Sequence, residues 1–423
     1  MESRCAAERA TGTAFACEKS DDRGENPDGT AVEVLSALPI HSGQLGRQRA
    51  DREATAGAGC HLPAPRRRPP LQSGRASMTN DLYLRNAWYV AALAGEVEAD
   101  LLRRLILGEP VLLFRDEQSG APSALHDLCP HRFAPLSRGK RVDGGIQCGY
   151  HGLVFAPSGK CVLNPHGNGR ILPTAAVRAF PVIERHGMIW IWMGEHDLAD
   201  PSRIPDFSYL DAADQRTRGA GYLPTRANYQ LLTDNILDAS HADYLHALLD
   251  SDGGTRHEAP RVQELGDGSV EVSWTWGPAS PMKFLSHMYA PGAEVHTRLA
   301  VRWHAPSAMH LRISSAAEGE ELDQGLQAEA MHIMTPETAR QTHYFYGGVR
   351  SFDVANDAYT AAFLEGARRA FADEDKPMIE AVQANMGDET DIFAMRPLGL
   401  IGDAGGVRVR ERLRRLIAAE RHP

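Results

Sequence analysis

The sequence contains few cysteines, and their number excludes one class of protein. Only six occur among 423 residues, and three of them (Cys5, Cys17 and Cys60) lie in the first 77 residues. Thiols this sparse in a long chain do not form a disulfide framework. They favour a reducing cytosol, where paired Cys and His more often hold metal. The sequence therefore predicts a cytoplasmic protein.

Long apolar runs and an excess of basic charge are also missing. No apolar stretch approaches the roughly 18 residues that cross a bilayer, and the first 30 residues lack the apolar segment of a signal peptide. The net charge of −10 argues against a nucleic-acid partner, which would need a basic face. With 43% apolar and 24% charged residues, the composition predicts a globular protein without a membrane or nucleic-acid partner.

Residues 1–77 differ from the rest of the chain. They hold 11 basic and 10 acidic residues, and no period of 2 or 3.6 persists through them. We therefore predict a disordered extension. A transit peptide is one alternative, although such peptides are poor in acidic residues. Another is a misassigned start, with translation beginning at Met78, where globular patterning sets in.

Two domains are predicted in the remaining chain, residues 78–200 and residues 201–423. The first contains short β runs bounded by Gly, Pro and Asp, namely Val111–Arg115, Gly149–Phe155 and Met188–Met193. A linker is predicted at Pro201–Pro205. The second domain alternates strands, namely Ser269–Trp276, Thr297–Trp303, Met309–Ser315 and Thr342–Tyr346, with helices at about Tyr229–Leu249 and Asn356–Asn385, the last interrupted by Pro377. Strands followed by strands mixed with helices predict an α+β fold.

The first domain contains two short Cys/His motifs. Cys129 and His131 form a Cys-x-His motif, and after 16 intervening residues Cys148 and His151 form a Cys-x-x-His motif. A Rieske [2Fe-2S] cluster takes two Cys on one iron and two His on the other. Two loops that each carry one Cys and one His provide that division. Structural zinc sites usually keep like ligands together, so a zinc site is the second hypothesis. A chance grouping of these residues without any metal is the third.

A second group of metal-binding residue types follows in the second predicted domain. Asn235, Asp238, His241 and His246 lie within 12 residues. His241 and His246 are five apart, which separates them by about 140° on an ideal helix. They can share one ion only if the helix ends or distorts between them. Two His and one carboxylate are the ligands of mononuclear Fe(II) oxygenases, whereas a capping Asp with two ordinary helical His is the alternative.

The third ligand of such a site is left open by spacing alone. Asp238 could bind the metal, but it is also suited to a hydrogen-bonding bridge. Asp375 lies in a later acidic stretch, two residues before Pro377, where it also resembles a helix N-cap.

Several stretches resemble the oxygenase components of Rieske non-heme iron O-demethylases, the vanillate and dicamba O-demethylase group. The matching segments lie between Met78 and about Gly387, namely Arg85–Ala92, Cys129–Ser137, Cys148–Leu153, Asn164–Gly169, Asn228–Leu232, Asp234–Asp238, His241–His246, His332–Thr338 and Glu374–Lys376. The resemblance implies an N-terminal all-β Rieske domain, followed by a catalytic domain with an antiparallel sheet flanked by helices.

The resemblance also implies the roles of single residues. Cys129 and Cys148 would bind one iron of the cluster, and His131 and His151 the other. The ligands of a mononuclear Fe(II) would be His241, His246 and Asp375. Asn235 would lie close to this iron without firmly binding it. Asp238 would link a cluster His of one subunit to an iron-binding His of its neighbour, which implies a homotrimer.

The implied reaction is that of a mono-oxygenase. Electrons from NADH or NADPH would come through a separate reductase or ferredoxin, and O₂ would be used to oxidise a small aromatic substrate. With a methoxylated aromatic acid, the products would be formaldehyde and a phenol. His332 matches a position that lines the pocket of dicamba-demethylating members, whereas Leu311 and Gly366 depart from the Asn and Trp found there.

Three other functions remain open from the sequence. One is a Rieske oxygenase that hydroxylates a different small aromatic or alicyclic compound. A non-catalytic Rieske electron carrier is the second, although it would leave residues 228–390 unexplained, because such a carrier needs only about one small domain. A zinc-stabilised binding module is the third.

Overall fold

The computed structural model describes residues 82–246, residue 249 and residues 254–421. The predictions made for residues 1–77 lie outside the described residues. Among the described helices, none combines the length and the apolar character that a membrane span requires.

Three small antiparallel sheets form the first half of the described chain. The first has the order β1-β11-β10, the second β2-β3-β4-β9 and the third β5-β6-β7-β8. The strands are β1 Trp88–Leu93, β2 Leu102–Ile106, β3 Glu109–Arg115, β4 Pro122–His126, β5 Lys140–Val142, β6 Gly145–Gln147, β7 Val154–Phe155, β8 Cys161–Leu163, β9 Ala179–Phe180, β10 Val182–Arg185 and β11 Met188–Trp192.

A seven-stranded antiparallel sheet dominates the second half. Its order is β12-β18-β17-β16-β15-β14-β13. The strands are β12 Gly219–Thr225, β13 Arg261–Glu264, β14 Val270–Ala279, β15 Val295–His304, β16 Ala308–Ala317, β17 Leu326–Thr338 and β18 Gln341–Arg350. Along β15 every second residue is buried, as expected where one sheet face covers the core. In β11 all five residues are buried, because its two faces belong to different core clusters: Trp190 lies in the cluster that includes Phe345 of the large sheet, and Ile191 lies in the main core.

Helices flank the large sheet. They are α1 Ser208–Ala212, α2 Tyr229–Leu237, α3 Ala242–Leu245, α4 Gly254–His257, α5 Asp357–Arg369, α6 Lys376–Met386 and α7 Ala404–Arg421. One turn of π-helix, Ala370–Asp375, joins α5 to α6. Helix α7 buries Val409, Leu413 and Ile417, which lie four residues apart on one face and join the main core. This arrangement confirms the α+β fold class, with an all-β region followed by an antiparallel sheet and helices.

Several local predictions were wrong. Only Val154 and Phe155 of the predicted strand Gly149–Phe155 are in a strand, because the preceding residues form a loop. The segment Pro201–Pro205 is not a free linker, since Ile204 is buried in a core cluster. The predicted helix from Tyr229 ends at Leu237, and a 3₁₀ turn and α3 follow. Pro377 does not interrupt the last helical segment, because it lies in the first turn of α6.

Candidate functional site

The two Cys/His motifs lie on loops, Cys129–His131 between β4 and β5 and Cys148–His151 between β6 and β7. Both cysteines are buried, while His131 is exposed and its ring centroid lies 4.4 Å from that of His151. Among the described residues, only His241, His246 and Asp375 bring three ligand atoms of this kind within 4.8 Å. The motifs therefore form one pair of thiols and one pair of imidazoles.

This paired arrangement fits a Rieske cluster and does not fit zinc. Four ligands around one zinc ion would lie closer together, at metal distances of about 2.0–2.3 Å. Burial raises the pKa of the Cys129 thiol to about 11, although the backbone N–H groups of His131 and Arg132 donate hydrogen bonds to its sulfur. Such donors stabilise a thiolate and tune the potential of a cluster.

Hydrogen bonds outside the motifs hold both loops in place. The buried carboxylate of Asp127 accepts bonds of 2.7 Å from the backbone N–H and the hydroxyl of Ser137, just after the first motif. It also accepts a bond of 3.0 Å from Arg103. The ring of His166 donates a hydrogen bond of 2.7 Å to the carbonyl of His151. The segment Asn164–Gly169, which contains His166, therefore holds the loop that carries Cys148 and His151.

The second group of ligands comes together from two distant segments. The Nε2 atoms of His241 and His246 lie 3.2 Å apart. Asp375 Oδ1 lies 3.5 Å from the first and 3.2 Å from the second. His246 and Asp375 are buried, and Asp375 Oδ2 has no hydrogen-bond partner among the described residues. An unpartnered buried carboxylate oxygen is costly, so the Asp375 carboxylate, whose Oδ1 lies beside two imidazole nitrogens, fits a metal ion.

Helix breaks explain how these residues meet. Helix α2 ends at Leu237, and the 3₁₀ turn Ala239–His241 changes the chain direction. Helix α3 is a single turn, so that His241 and His246 stand at its two ends. The distortion that the five-residue spacing requires is therefore present. Asp375 ends the π turn, and its side chain makes no N-cap hydrogen bond.

In both histidines Nδ1, the ring nitrogen that does not face Asp375, donates a hydrogen bond to another protein group. His241 Nδ1 donates to the carbonyl of Asp238 at 2.5 Å, and His246 Nδ1 donates to Glu374 Oε2 at 2.8 Å. Burial opposes protonation of His246, yet Asp375 and Glu374 raise its pKa above the usual value. Burial also raises the pKa of Asp375, but His241 and His246 lower it well below its ordinary value.

Asn235 and Asp238 occupy different positions around the three ligands. Asn235 Nδ2 lies 3.1 Å from Asp375 Oδ1 and 3.4 Å from His241 Nε2. The carboxylate of Asp238 points away from these ligands and accepts hydrogen bonds from the backbone N–H and hydroxyl of Ser240, at 3.0 and 2.6 Å. No hydrogen bond among the described residues joins Asp238 to His131 or His151.

A small cavity next to the ligands is lined mainly by aliphatic side chains and includes two aromatic ones. Tyr344 and Phe371 line it together with Asn235 and Asp375. His332 is buried behind this wall: its Nδ1 lies 2.7 Å from the Tyr344 hydroxyl, and its ring centroid is 5.0 Å from that of Phe371. Burial lowers the pKa of His332 to about 3, and its Nε2 has no hydrogen-bond partner within the part of the chain that the structure describes.

Sequence reasoning did not single out Glu374, Tyr344 or Phe371. The position of Glu374 next to Asp375 was the one available signal. Tyr344 and Phe371 reach the cavity only through the register of β18 against β17 and through the π turn, which single-sequence patterns do not reveal.

Comparison with known proteins covers nearly all of the described chain. Residues 87–181 match the Rieske [2Fe-2S] domain, and residues 225–419 match the vanillate O-demethylase oxygenase C-terminal domain. The oxygenase component of dicamba O-demethylase from Stenotrophomonas maltophilia is 40% identical, over 79% of this chain and 98% of that protein. The oxygenase component of chloroacetanilide N-alkylformylase from Rhizorhabdus wittichii is 37% identical, over 81% and 98%.

A solved structure shows the same similarity. The crystal structure of dicamba monooxygenase bound to dicamba superposes with a TM-score of 0.73 at 38% identity. The match covers 81% of this chain and 100% of that chain.

Proposed function

Because this chain belongs to the Rieske non-heme iron oxygenases of the vanillate and dicamba O-demethylase group, we propose that it catalyses the O-demethylation of a methoxylated aromatic acid. The chain is the oxygenase component of a mono-oxygenase, with a Rieske [2Fe-2S] cluster and a mononuclear non-heme iron. In the proposed reaction one atom of O₂ enters the methyl group and the other becomes water, with two electrons and two protons consumed. The hydroxylated methyl group leaves as formaldehyde, and the aromatic ring keeps a phenol.

The ligands of both metal groups follow from the side chains that come together. Cys129 and Cys148 would hold one iron of the cluster, and His131 and His151 the other. The mononuclear iron would be held by His241, His246 and Asp375, which present three ligand atoms within 4.8 Å. When bound, the cluster supplies single electrons and the mononuclear iron supplies open positions for O₂. The observation that carries the proposal is the unpartnered buried oxygen of Asp375 among these ligands.

Asn235 and Asp238 would act on the geometry of this site. The Asn235 side-chain amide donates to Asp375 Oδ1 and thereby fixes the orientation of this carboxylate. Asp238 holds the ring of His241 through its backbone carbonyl. Its half-buried carboxylate would then be available to a cluster histidine of a neighbouring subunit.

His332 would orient the substrate. The Tyr344 hydroxyl can donate to His332 Nδ1, which places the proton of the neutral ring on Nε2. This N–H donor, without a partner among the described residues, would bind an oxygen of the substrate. Phe371 and Tyr344 offer ring faces and edges to an aromatic ring.

Two exposed apolar surfaces support a ring-shaped trimer. One surrounds the cluster histidines and includes Phe133, whose exposed fraction is 73%, and Tyr150. The other is the segment around Leu398, exposed to 87%, Leu400 and Ile401, which immediately precedes the contact between Gly402 and Asp238. Different surfaces that meet head to tail close into a ring when the rotation allows it. Large exposed apolar patches commonly mark such interfaces.

The same proposal includes the partners and location of the chain. A separate reductase or ferredoxin would deliver electrons from NAD(P)H, since the relatives that the chain matches are oxygenase components. Free thiols at Cys129, Cys148 and Cys161 agree with a reducing cytoplasm.

One preparation tests the proposal. Protein purified anaerobically with added iron is analysed for iron and labile sulfide and by visible and EPR spectroscopy, and O₂ uptake is then measured with a generic reductase. A panel of methoxybenzoates is screened with formaldehyde as the readout. Formaldehyde in step with O₂ uptake supports O-demethylation. A hydroxylated product without formaldehyde would favour the alternative oxygenase, and a coloured protein that takes up no O₂ with any substrate would favour an electron carrier.

A further inference from the structure

Two consecutive carboxylates hold the imidazole of His246 at its two nitrogens. Glu374 Oε2 accepts the hydrogen bond from Nδ1 at 2.8 Å, and Asp375 Oδ1 lies 3.2 Å from Nε2. The ring is buried, and the side chain of Glu374 is only 18% exposed. Glu374 is bound in turn by Arg369, whose Nε donates to Oε1 at 3.0 Å. Arg369, Glu374 and His246 therefore form a chain of hydrogen bonds from the protein surface to the candidate metal site.

The π turn explains why two consecutive residues, Glu374 and Asp375, can both contact the imidazole ring of His246. Successive residues of an α-helix point about 100° apart, so that they rarely reach the same side chain. Residues Ala370–Asp375 form a π turn instead, and such turns are frequent at functional sites. Arg369 and Glu374 are five residues apart, as are Arg368 and Asp373, which also form an ion pair. Five residues is the hydrogen-bonding interval of a π-helix.

We propose that Glu374 is a positioning residue that prepares His246 for the metal. Its carboxylate keeps the proton of the neutral ring on Nδ1, so that the lone pair of Nε2 faces Asp375 and His241. The negative charge also makes the imidazole a stronger donor to a cation. Arg369 keeps the Glu374 side chain in place. This inference rests on the ligand assignment made under the proposed function, and it adds a determinant of metal affinity outside the ligands.

The Nδ1 atom of the other ligand histidine, His241, has no charged partner among the described residues. His241 Nδ1 donates to a backbone carbonyl, that of Asp238, which keeps its acceptor whatever side chain the residue carries. Between the two Nδ1 atoms, only that of His246 has a side-chain carboxylate as its acceptor. The effect of a carboxylate on metal binding can therefore be removed at one ligand without changing the other.

The test measures Co(II) binding to protein that keeps its Rieske cluster but has lost its mononuclear metal through mild chelation. Glu374→Ala is expected to weaken Co(II) binding by about 10- to 100-fold, the usual effect of losing such a partner. Glu374→Gln keeps an acceptor for Nδ1–H without the charge, so most of the affinity should return. Arg369→Gln is expected to give a loss smaller than that of Glu374→Ala.

The matched control is Asp373→Asn, which removes a carboxylate of the same π turn. Asp373 is exposed and pairs with Arg368, not with a ligand. Wild-type affinity is expected in this variant, and the visible spectrum of the cluster together with the melting temperature reports whether each variant is folded. If folded Glu374→Ala bound Co(II) within twofold of wild type, the inference would be wrong. If His246→Ala also bound normally, the ligand assignment itself would fail.

Discussion

Asn235 donates a hydrogen bond of 3.1 Å to Asp375, although the two residues lie 140 positions apart in the sequence. This bond ties α2 to the π turn, and it orients the carboxylate that faces both histidines. Asn235→Ala should leave the iron content unchanged, because the three ligands remain. Loss of a hydrogen bond to a charged group costs about 1.5–3 kcal/mol, so turnover should fall by roughly 10- to 100-fold, where each 1.4 kcal/mol is tenfold.

Steady-state O₂ uptake and iron analysis check this expectation. Asn235→Asp is the informative second variant, because it places a second carboxylate beside Asp375 and should raise the pKa of one of the two. Turnover equal to that of wild type in Asn235→Ala would show that Asp375 needs no orienting partner.

The histidine spacing shows how far the sequence could predict this site. Two histidines five residues apart cannot share an ion on a straight helix, and the helix does end and restart there. The sequence could not decide whether Asp375 is a metal ligand or a helix N-cap, since an Asp two positions before Pro377 is also typical of an N-cap. Its role depends on the π turn, which follows from packing against the large sheet rather than from local propensity. The contacts of His332 with Tyr344 and Phe371 depend on sheet register and were equally inaccessible.

The C-terminal helix α7 was not predicted from the sequence, for a different reason. The four-residue spacing of Val409, Leu413 and Ile417 indicates one apolar helix face, but arginines and glutamates dominate the segment. Arg410 lies within it and forms a buried ion pair with Asp234, at 2.5 Å. A charged residue that pairs inside the protein cannot be recognised as such without its partner.

Substitution of His332 should affect substrate binding more than turnover. His332→Leu removes the unpartnered Nε2–H donor and leaves an apolar wall of similar reach. A missing hydrogen bond to a substrate oxygen costs about 1–3 kcal/mol, so KM for an acidic substrate should rise roughly 5- to 150-fold, with the iron content unchanged. Kinetics with matched carboxylated and neutral methoxyarenes would show whether the donor recognises the acid. An unchanged KM for both would place His332 in a packing role.

Protein stability should decrease in acid because of His343. The Tyr222 hydroxyl donates to its Nδ1 at 2.8 Å, and its Nε2–H donates to the carbonyl of Leu105 at 2.9 Å, so the neutral ring is fully bonded. Burial lowers its pKa from 6.5 to about 4. Between these pH values the unfolded chain binds a proton that the folded chain excludes. The free energy of unfolding therefore falls as pH decreases from 6.5 to 4, by at most about 1.4 kcal/mol per pH unit.

Urea unfolding at a series of pH values measures this slope. His343→Gln does not titrate and should reduce the slope within that window, with His332 still contributing because burial lowers its pKa as well, while His196→Gln, on an exposed ring, serves as the control. A slope that His343→Gln leaves unchanged would assign the acid sensitivity to other groups.

The trimer can be tested on the exposed apolar segment that precedes Gly402. Leu398→Asp places a charge on a side chain that is 87% exposed in the single chain, so the fold should tolerate it. If the segment is covered by a neighbouring subunit, the charge should dissociate the assembly, and light scattering should report the mass of one chain instead of three. Leu198→Asp, at another exposed leucine, should leave the trimer intact. A wild-type protein that is already monomeric at micromolar concentration would contradict the trimer.

Asp238 offers the most direct test of electron transfer between subunits. Its carboxylate has no metal ligand as a partner among the described residues and instead accepts hydrogen bonds from Ser240. Asp238→Asn keeps the backbone carbonyl that holds His241, so both metal centres should remain while turnover falls by about 100-fold, the upper end of the range for loss of an orienting partner. Stopped-flow spectroscopy should show normal reduction of the cluster by the reductase and slow reoxidation with O₂ and substrate. Ser240→Ala, which removes only the 2.6 Å bond to this carboxylate, should reduce turnover less than Asp238→Asn does, because the carboxylate itself remains. Normal turnover in Asp238→Asn would exclude this carboxylate from the electron path.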